Sequence, residues 1–232
     1  LAAAAVDGIH FKGLEAKEFE EVKVLTIAKY LQSYIGRFKP DITITLGSGL
    51  GYLGKKIQPI KAFASFGFGE LPFMQIPSEK IPGHDRSLKF GTLAGKNVAG
   101  LQGRCHPYEG LTLNATVRLM RALRVLGAEV MIITNATGAI PENFKVGDIV
   151  THEGALNLLG ESVLTGPTFG SGPRFPSIAK INDPELLKIA RIAADKAGLK
   201  LHEGGFCVEN MGPEYENDGL IKLFEKIGVT NV

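Results

Sequence analysis

Helix-type and strand-type patterns of apolar residues alternate along the chain. Apolar positions at helical spacing between Glu15 and Tyr34 predict an amphipathic helix, and Pro40 ends that region. The β-branched run Asp41–Leu46 comes next and predicts a strand that ends at a glycine. The same criteria predict strands at 97–101, 130–134 and 206–211, and helices at 111–126, 183–197 and 218–227. This alternation is typical of an α/β protein with a largely parallel sheet.

Two details of the pattern refine this prediction. Val130–Thr134 is almost continuously apolar, as expected of a parallel strand buried on both faces. The tract Gly160–Pro176 is rich in glycine and proline and predicts a loop. There is no internal repeat and no evident linker, so we expect one domain over residues 1–232.

Composition and charge exclude several classes of function. Of 232 residues, 44% are hydrophobic and 22% are charged, which is ordinary for a globular protein and argues against disorder. The net charge is +2, and Lys and Arg alternate with Asp and Glu, so we expect no nucleic-acid partner. No apolar stretch approaches the length of a membrane span, so we expect no membrane partner either.

The cysteine content indicates the compartment. Cys105 and Cys207 are too few for a disulfide framework or a four-cysteine metal site. We therefore expect a cytoplasmic protein without a structural metal.

A glycine-bearing turn, Gly47–Gly54, directly follows the first predicted strand. Its small residues allow backbone N–H groups to converge on an anion, and Ser48 adds a hydroxyl donor. The turn also satisfies the G-x-G-x-x-G pattern of dinucleotide-binding folds. That pattern needs a long helix immediately behind it, and Pro59 leaves no room for one. An anion site is one interpretation, and a glycine turn without a ligand is the other.

A second turn, Gly103–Gly110, follows the strand predicted at 97–101. In an extended segment Arg104 and His106 point the same way, so both can face one anion. Tyr108 falls on that side as well and could donate to a hydroxyl group. The alternative is that Arg104 only pairs with Glu109 and that the histidine is structural.

Three further segments carry weaker signals. Thr134–Gly138 follows the apolar strand, at the kind of strand end where ligands of α/β sheets collect. His84 lies in a turn next to Arg86. In Gly212–Glu216, Tyr215 could stack on a planar ring while Glu216 accepts its N–H groups. Each of these segments, taken alone, is also compatible with an ordinary turn.

Together these segments resemble the trimeric class of purine nucleoside phosphorylases. The resemblance runs from about Glu15 to the end of the chain and rests on six short motifs in one order and spacing. These are Gly47–Gly51, Pro82–His84, Gly103–Gly110, Thr134–Gly138, Val146–Asp148 and Gly212–Glu216.

The resemblance implies a fold, an activity and a set of site residues. The fold would be α/β, with a central mixed, largely parallel sheet flanked by helices, in a homotrimer. The activity would be attack of inorganic phosphate on a purine nucleoside, without a metal or cofactor. Phosphate would be held by Ser48, His84, Arg104, His106 and the backbone at Ala136. Sugar and base would contact Tyr108, Asn135, Ala136, Thr137, Gly138, Tyr215 and Glu216. His84, His106 and Glu216 would be the catalytic residues.

The sequence also departs from the family pattern. Thr137 stands where the family commonly has a small apolar residue beside the base. The chain stops at Val232, just before a segment that carries further sugar, phosphate and base contacts in the family, so we expect it to lack that C-terminal segment. In the trimer an aromatic residue of a neighbouring subunit covers the sugar, and Phe169 is the candidate here.

The resemblance leads to one function and leaves alternatives. The function is phosphorolysis of inosine- or guanosine-type nucleosides to free base and (deoxy)ribose 1-phosphate in purine salvage. The alternatives are a methylthioadenosine phosphorylase and a catalytically silent nucleoside- or phosphate-binding relative.

Overall fold

The structure is a computed structural model that describes residues 16–61, 64–79, 85–166, 168, 170, 172–179 and 181–232. Two predicted site residues, His84 and Phe169, lie outside these ranges. The chain divides into two compact units. Unit 1 comprises Leu1–Ala136 and Val163–Ser171, and unit 2 comprises Thr137–Ser162 and Gly172–Val232.

A helix or strand is found at each position where the sequence predicts one, and further strands lie between them, so that β2–β5, β6–β8 and β9–β10 follow one another without an intervening α-helix. The helices are α1 (Ala16–Ile35), α2 (Gly51–Gly54), α3 (Leu113–Val125), α4 (Pro184–Ala197) and α5 (Asp218–Lys226). The strands are β1 (Ile42–Leu46), β2 (Gln58–Pro59), β3 (Ser65–Gly67), β4 (Ser87–Leu93), β5 (Lys96–Gln102), β6 (Val130–Ile133), β7 (Ile149–Thr151), β8 (Gly154–Asn157), β9 (Leu201–Glu203), β10 (Phe206–Glu209) and β11 (Val229–Asn231).

Unit 1 is built on a mixed sheet. Its strand order is β2-β4-β5-β1-β6, and β3 pairs with β4 as well. β1 is parallel to both β5 and β6, whereas β4 is antiparallel to β5, β2 and β3. The prediction of an α/β fold with a mixed, helix-flanked sheet is therefore confirmed. The antiparallel strand β4 was not predicted, although Ser87–Gly91 alternates polar and apolar residues and buries Leu88 and Phe90.

The core of unit 1 lies between the sheet and helices α1 and α3. The buried face of α1 consists of Val24, Ile27, Ala28, Leu31 and Ile35, at spacings of three and four residues. These side chains pack with Phe90 of β4, Leu101 of β5 and Leu123 of α3, among others. α3 begins at Thr112, whose hydroxyl accepts from the Ala115 N–H.

Unit 2 contains two small parallel sheets. One has the order β11-β10-β8, and the other pairs β7 with β9. Val208, Phe224 and Val229 form its buried cluster. Asp183 caps α4 through its carboxylate, as its position before Pro184 predicts. The prediction that both units belong to one domain over residues 1–232 stays a prediction.

The prediction that β6 is buried on both faces is wrong. Met131, Ile132 and Ile133 of β6 are 42 to 59% exposed, although the apolar run predicts a buried strand. Among the described residues β6 pairs only with β1, so its other edge has no neighbouring strand. An apolar run predicts a strand but does not fix how many neighbours that strand has.

No helix among the described residues has the length and apolar character needed to cross a membrane.

Candidate active site

Three of the predicted ligand-binding turns follow three neighbouring parallel strands. β5, β1 and β6 lie side by side in unit 1, and they lead into the turns at Gly103, Gly47 and Thr134 respectively. Because the strands are parallel, all three turns emerge at the same edge of the sheet. The sequence predicted each turn separately, and the topology brings them together.

Hydrogen bonds join the three turns. The Gly47 N–H donates to the Thr134 hydroxyl at 3.0 Å, and that hydroxyl donates to the Thr45 carbonyl at 2.7 Å. The Gly103 N–H donates to the Leu46 carbonyl at 3.1 Å. Thr134 therefore fixes the turn after β6 against the turn after β1. Ser48 comes directly after Gly47 in the chain, and Asn135 and Ala136 come directly after Thr134. The side chains of all three are exposed.

The turn after β5 presents its polar side chains on one side. Arg104 and His106 are half-buried and adjacent, with Arg104 Nε donating to His106 Nε2 at 3.2 Å. Cys105 between them is 6% exposed and packs in the core of unit 1, as the alternation of an extended segment requires. The prediction that Arg104 and His106 share a side is confirmed.

Tyr108 lies next to His106 although the backbone changes direction there. Residues Pro107–Glu109 form a 3-10 turn, and the ring of Tyr108 stacks on that of His106 at 4.9 Å between centroids and 15° between planes. Partial burial, and next the charge of Glu109, raise the pKa of the Tyr108 phenol. The hydroxyl therefore remains protonated at neutral pH and can donate a hydrogen bond.

Glu109 is a functional candidate that the sequence argument assigned only to a possible pairing with Arg104. Its side chain is 5% exposed, and its Oε2 accepts from the His106 N–H at 2.6 Å and lies 3.5 Å from His106 Nδ1. Its ion-pair partner is Arg86, not Arg104. The signal was present in the sequence, because a glutamate three residues after a turn's first residue can cap that turn.

Unit 2 carries the remaining predicted base and sugar residues. Tyr215 is almost fully exposed, and Glu216 Oε1 accepts from Asn210 Nδ2 at 2.7 Å. The asparagine fixes the orientation of the carboxylate and was not recognised from the sequence. Asn217 next to Glu216 caps α5 through its side-chain oxygen, which sets where the loop ends and the helix begins.

Residues 137 and 138 are paired with β11 in unit 2. Gly138 and Val232 exchange two backbone hydrogen bonds, at 2.9 and 3.0 Å. The side chain of Asn231 is 2% exposed and donates to the Thr137 hydroxyl at 3.0 Å. Thr137 itself is exposed, and the hydrogen bond from the buried Asn231 side chain fixes the position of its hydroxyl.

The described residues contain no group of three or more His, Cys, Asp or Glu side chains that could hold a metal ion.

Comparison with known proteins identifies the family. The model of the phosphorylase superfamily matches residues 41–232. Purine nucleoside phosphorylase 1 of Geobacillus stearothermophilus is 34% identical over 194 residues, which cover 82% of this chain and 67% of that protein. The purine nucleoside phosphorylase of Bos taurus is 33% identical over 211 residues, covering 88% of this chain and 71% of the relative.

Solved structures agree with the sequence relatives. The crystal structure of Schistosoma mansoni purine nucleoside phosphorylase in a complex with BCX-34 superimposes with a TM-score of 0.79 at 29% identity. The match covers 91% of this chain and 77% of that one. A second structure of the Schistosoma enzyme, in complex with adenosine, also has a TM-score of 0.79. The chain therefore belongs to the phosphorylase superfamily and, within it, to the purine nucleoside phosphorylases.

Proposed function

We propose that this protein cleaves purine nucleosides of the inosine and guanosine type with inorganic phosphate, as a step of purine salvage in the cytoplasm. The observation that carries the proposal is the set of three turns at one edge of the sheet, with Arg104, His106 and Tyr108 adjacent on one of them. The relatives' names and the adenosine bound to the Schistosoma enzyme support the purine nucleoside as substrate.

Phosphate binds at the turns of unit 1 in this proposal. The planar guanidinium of Arg104 suits two phosphate oxygens, and the His106 ring supplies a further donor when it is protonated. Ser48, His84 and the Ala136 backbone N–H complete the phosphate contacts. Holding the anion in place removes much of the entropic barrier to its attack, which is of order several kcal/mol.

The nucleoside binds so that its anomeric carbon faces this phosphate. Tyr108 binds the sugar hydroxyls, Asn135, Thr137, Gly138 and Tyr215 line the sugar and base, and Glu216 binds the edge of the purine ring. A phosphate oxygen forms a bond to the anomeric carbon while the bond from that carbon to the purine nitrogen breaks. The bonding electrons go to the purine nitrogen, and the purine takes up one proton and leaves as the neutral base. The attacking phosphate gives up one proton as ribose 1-phosphate forms, so the step balances.

Two charges develop in this transition state, and the residues above act on both. The sugar becomes cationic and is stabilised by the phosphate beneath it. The departing purine becomes anionic, and Glu216 stabilises the protonated form of its ring through a hydrogen bond that Asn210 keeps in place. Neither role requires a metal or a covalent intermediate, and Ser48 is a binding group.

We also propose a homotrimer, in which Phe169 of a neighbouring subunit covers the sugar. This assembly rests on the family resemblance. Sedimentation of the purified protein tests it, since a monomer would contradict it.

The direct test is inosine cleavage with and without inorganic phosphate. Hypoxanthine and ribose 1-phosphate should form in equal amounts and only when phosphate is present. Cleavage to free ribose without phosphate would indicate a hydrolase. Binding of inosine without cleavage would favour the silent binding protein.

Two variants test the assigned roles. R104A should mainly raise KM for phosphate, whereas E216A should mainly lower kcat for inosine and reduce discrimination between bases. E214A is the matched control for E216A, because Glu214 lies two residues earlier and is exposed. Equal, small effects of R104A and E216A on both substrates would contradict the assignment.

A further inference from the structure

Arg86 is a buried cation in unit 1 that the proposed mechanism does not use. The residue is 7% exposed, and its guanidinium has three acceptors among the residues that the structure describes. Nη1 donates to the Pro77 carbonyl at 2.7 Å, Nη2 donates to the Glu79 carbonyl at 2.9 Å, and Nη2 also pairs with Glu109 Oε1. Such a set of acceptors fits the planar fork of arginine and not the single charged nitrogen of lysine.

The backbone at Arg86 is also unusual. Its φ is +48°, in the left-handed region that side-chain-bearing residues rarely adopt. The Phe68 N–H donates to the Arg86 carbonyl at 2.7 Å and helps to hold this conformation. A strained residue of this kind persists where its surroundings fix it, and such residues are concentrated at functional sites.

The ion pair connects Arg86 to His106. One carboxylate oxygen of Glu109 faces Arg86, and the other accepts from the His106 N–H and lies 3.5 Å from His106 Nδ1. Both side chains of the pair are more than nine-tenths buried. Removing one partner of such a buried pair leaves the other group without its partner, so Arg86 holds the Glu109 carboxylate where it contacts the histidine.

The same guanidinium acts on a second segment. Pro77 and Glu79 precede, and Arg86 itself follows, the stretch of sequence that contains His84. Arg86 thus contacts both the chain that flanks His84 and the turn that carries His106. A single side chain therefore links residues 77–79 to the turn that carries His106.

We propose that Arg86 is a positioning residue for the phosphate site, acting through Glu109 on His106. This inference rests on the proposed function, because it assumes that His106 contacts phosphate. Loss of the guanidinium leaves Glu109 without its counter-charge and releases the carbonyls of Pro77 and Glu79. Binding of phosphate weakens as a result, while binding of the nucleoside is preserved.

The test compares R86Q and R86K with wild type and with R118Q. Arg118 is the matched control, because it is 3% exposed and also binds a carboxylate, Glu20, together with one carbonyl, that of Phe73. The measurements are KM for phosphate, KM for inosine and kcat, together with the increase in Tm that inorganic phosphate causes relative to chloride at equal ionic strength.

We expect R86Q to raise KM for phosphate about tenfold or more, with KM for inosine changed less than about twofold. R86K, which retains a charge near Glu109, should give an intermediate value. R118Q should lower Tm but leave KM for phosphate unchanged. The stabilisation by phosphate should be reduced in R86Q and retained in R118Q.

A folded R86Q protein with wild-type KM for phosphate would overturn the inference, and so would an equal rise of that KM in R118Q. If R86Q does not fold, R86K is measured in its place, and a wild-type KM for phosphate in folded R86K would overturn the inference. Wild-type protein that neither requires phosphate for cleavage nor gains stability from it contradicts the proposed function itself and, with it, the inference. Phosphate dependence in wild type with no change in R86Q or R86K contradicts the inference alone.

Discussion

Replacing Gly47 with alanine should separate two of the turns that form the candidate phosphate and base site. A Cβ atom at Gly47 would lie 2.6 Å from the Thr134 carbonyl oxygen and 2.7 Å from Asn135 Cα. Both of these are backbone atoms, so no flexible side chain can move aside. To reach an ordinary contact of 3.4 Å, the Thr134 oxygen would have to retreat by about 0.8 Å.

That displacement should lower both the stability and the activity of the protein. Crowding of this kind destabilises by about 1–3 kcal/mol, which for a chain of this length lowers Tm by about 4–8 °C at the middle of that range. The Gly47 N–H bond to the Thr134 hydroxyl, 3.0 Å long, would be stretched or lost. Misplacement of binding groups by about 1 Å can reduce kcat/KM up to about 100-fold.

The assay is kcat/KM for inosine at saturating phosphate together with Tm by calorimetry. G51A is the control, because a Cβ at Gly51 meets nothing within 4 Å and its φ lies outside the left-handed region. We expect G51A to differ from wild type by less than about 0.5 kcal/mol in stability and to retain activity. Wild-type kcat/KM and Tm in G47A would refute the argument that close contact between these turns sets the site.

Three further predictions concern buried or paired polar groups. E109Q should raise KM for phosphate about tenfold and lower the free energy of unfolding by about 3–5 kcal/mol, because its buried ion-pair partner is left uncompensated. N231A should lower the free energy of unfolding by about 1–3 kcal/mol in urea titrations, since it removes the buried donor to Thr137. A hydrogen bond from His202 and one from a backbone N–H lower the pKa of Asp148, so D148N should lower Tm at neutral pH. The difference in Tm between D148N and wild type should shrink as pH falls below 3.8, because the carboxylate of the wild type is then progressively protonated.

E109Q and D148N each have a control variant. E129Q removes an exposed carboxylate of unit 1 and should leave KM for phosphate unchanged. D195N removes an exposed carboxylate of α4, and its Tm should follow that of wild type at every pH. A D148N difference in Tm that is constant from pH 7 to pH 2 would contradict the role of the ionised carboxylate. Unchanged stability in N231A would contradict the contribution of its hydrogen bond.

The pattern of apolar residues located the long helices and the strands β1, β5, β6 and β10, but it was a poorer guide to which of their faces are buried. The helix predicted at Glu15–Tyr34 is α1, and its ends agree within one residue. Its predicted apolar face included Leu25 and Tyr34, yet these are 49% and 46% exposed. Hydrophobic residues occur all around this helix, so spacing alone could not select the face that packs against the sheet.

The candidate site was predictable in its binding groups but not in its supporting residues. Arg104 and His106 were recognisable because an extended segment places every second side chain on the same side, whereas Tyr108 reaches that side through a 3-10 turn. Asn210, which orients Glu216, and Asn231, which holds Thr137, were not recognisable, because each acts on a partner that only folding brings close.

The sequence by itself determined the alternation of helix and strand, the three turns at the ends of strands, and the polar groups that those turns carry. These features depend on the spacing of residues within a short stretch of chain and on the conformations that glycine and proline allow there, so the local sequence is enough to predict them. Only the tertiary structure decided that β5, β1 and β6 are neighbours and that Glu109 pairs with Arg86. Strand order and buried ion pairs depend on contacts between distant residues, whose energies no local pattern records.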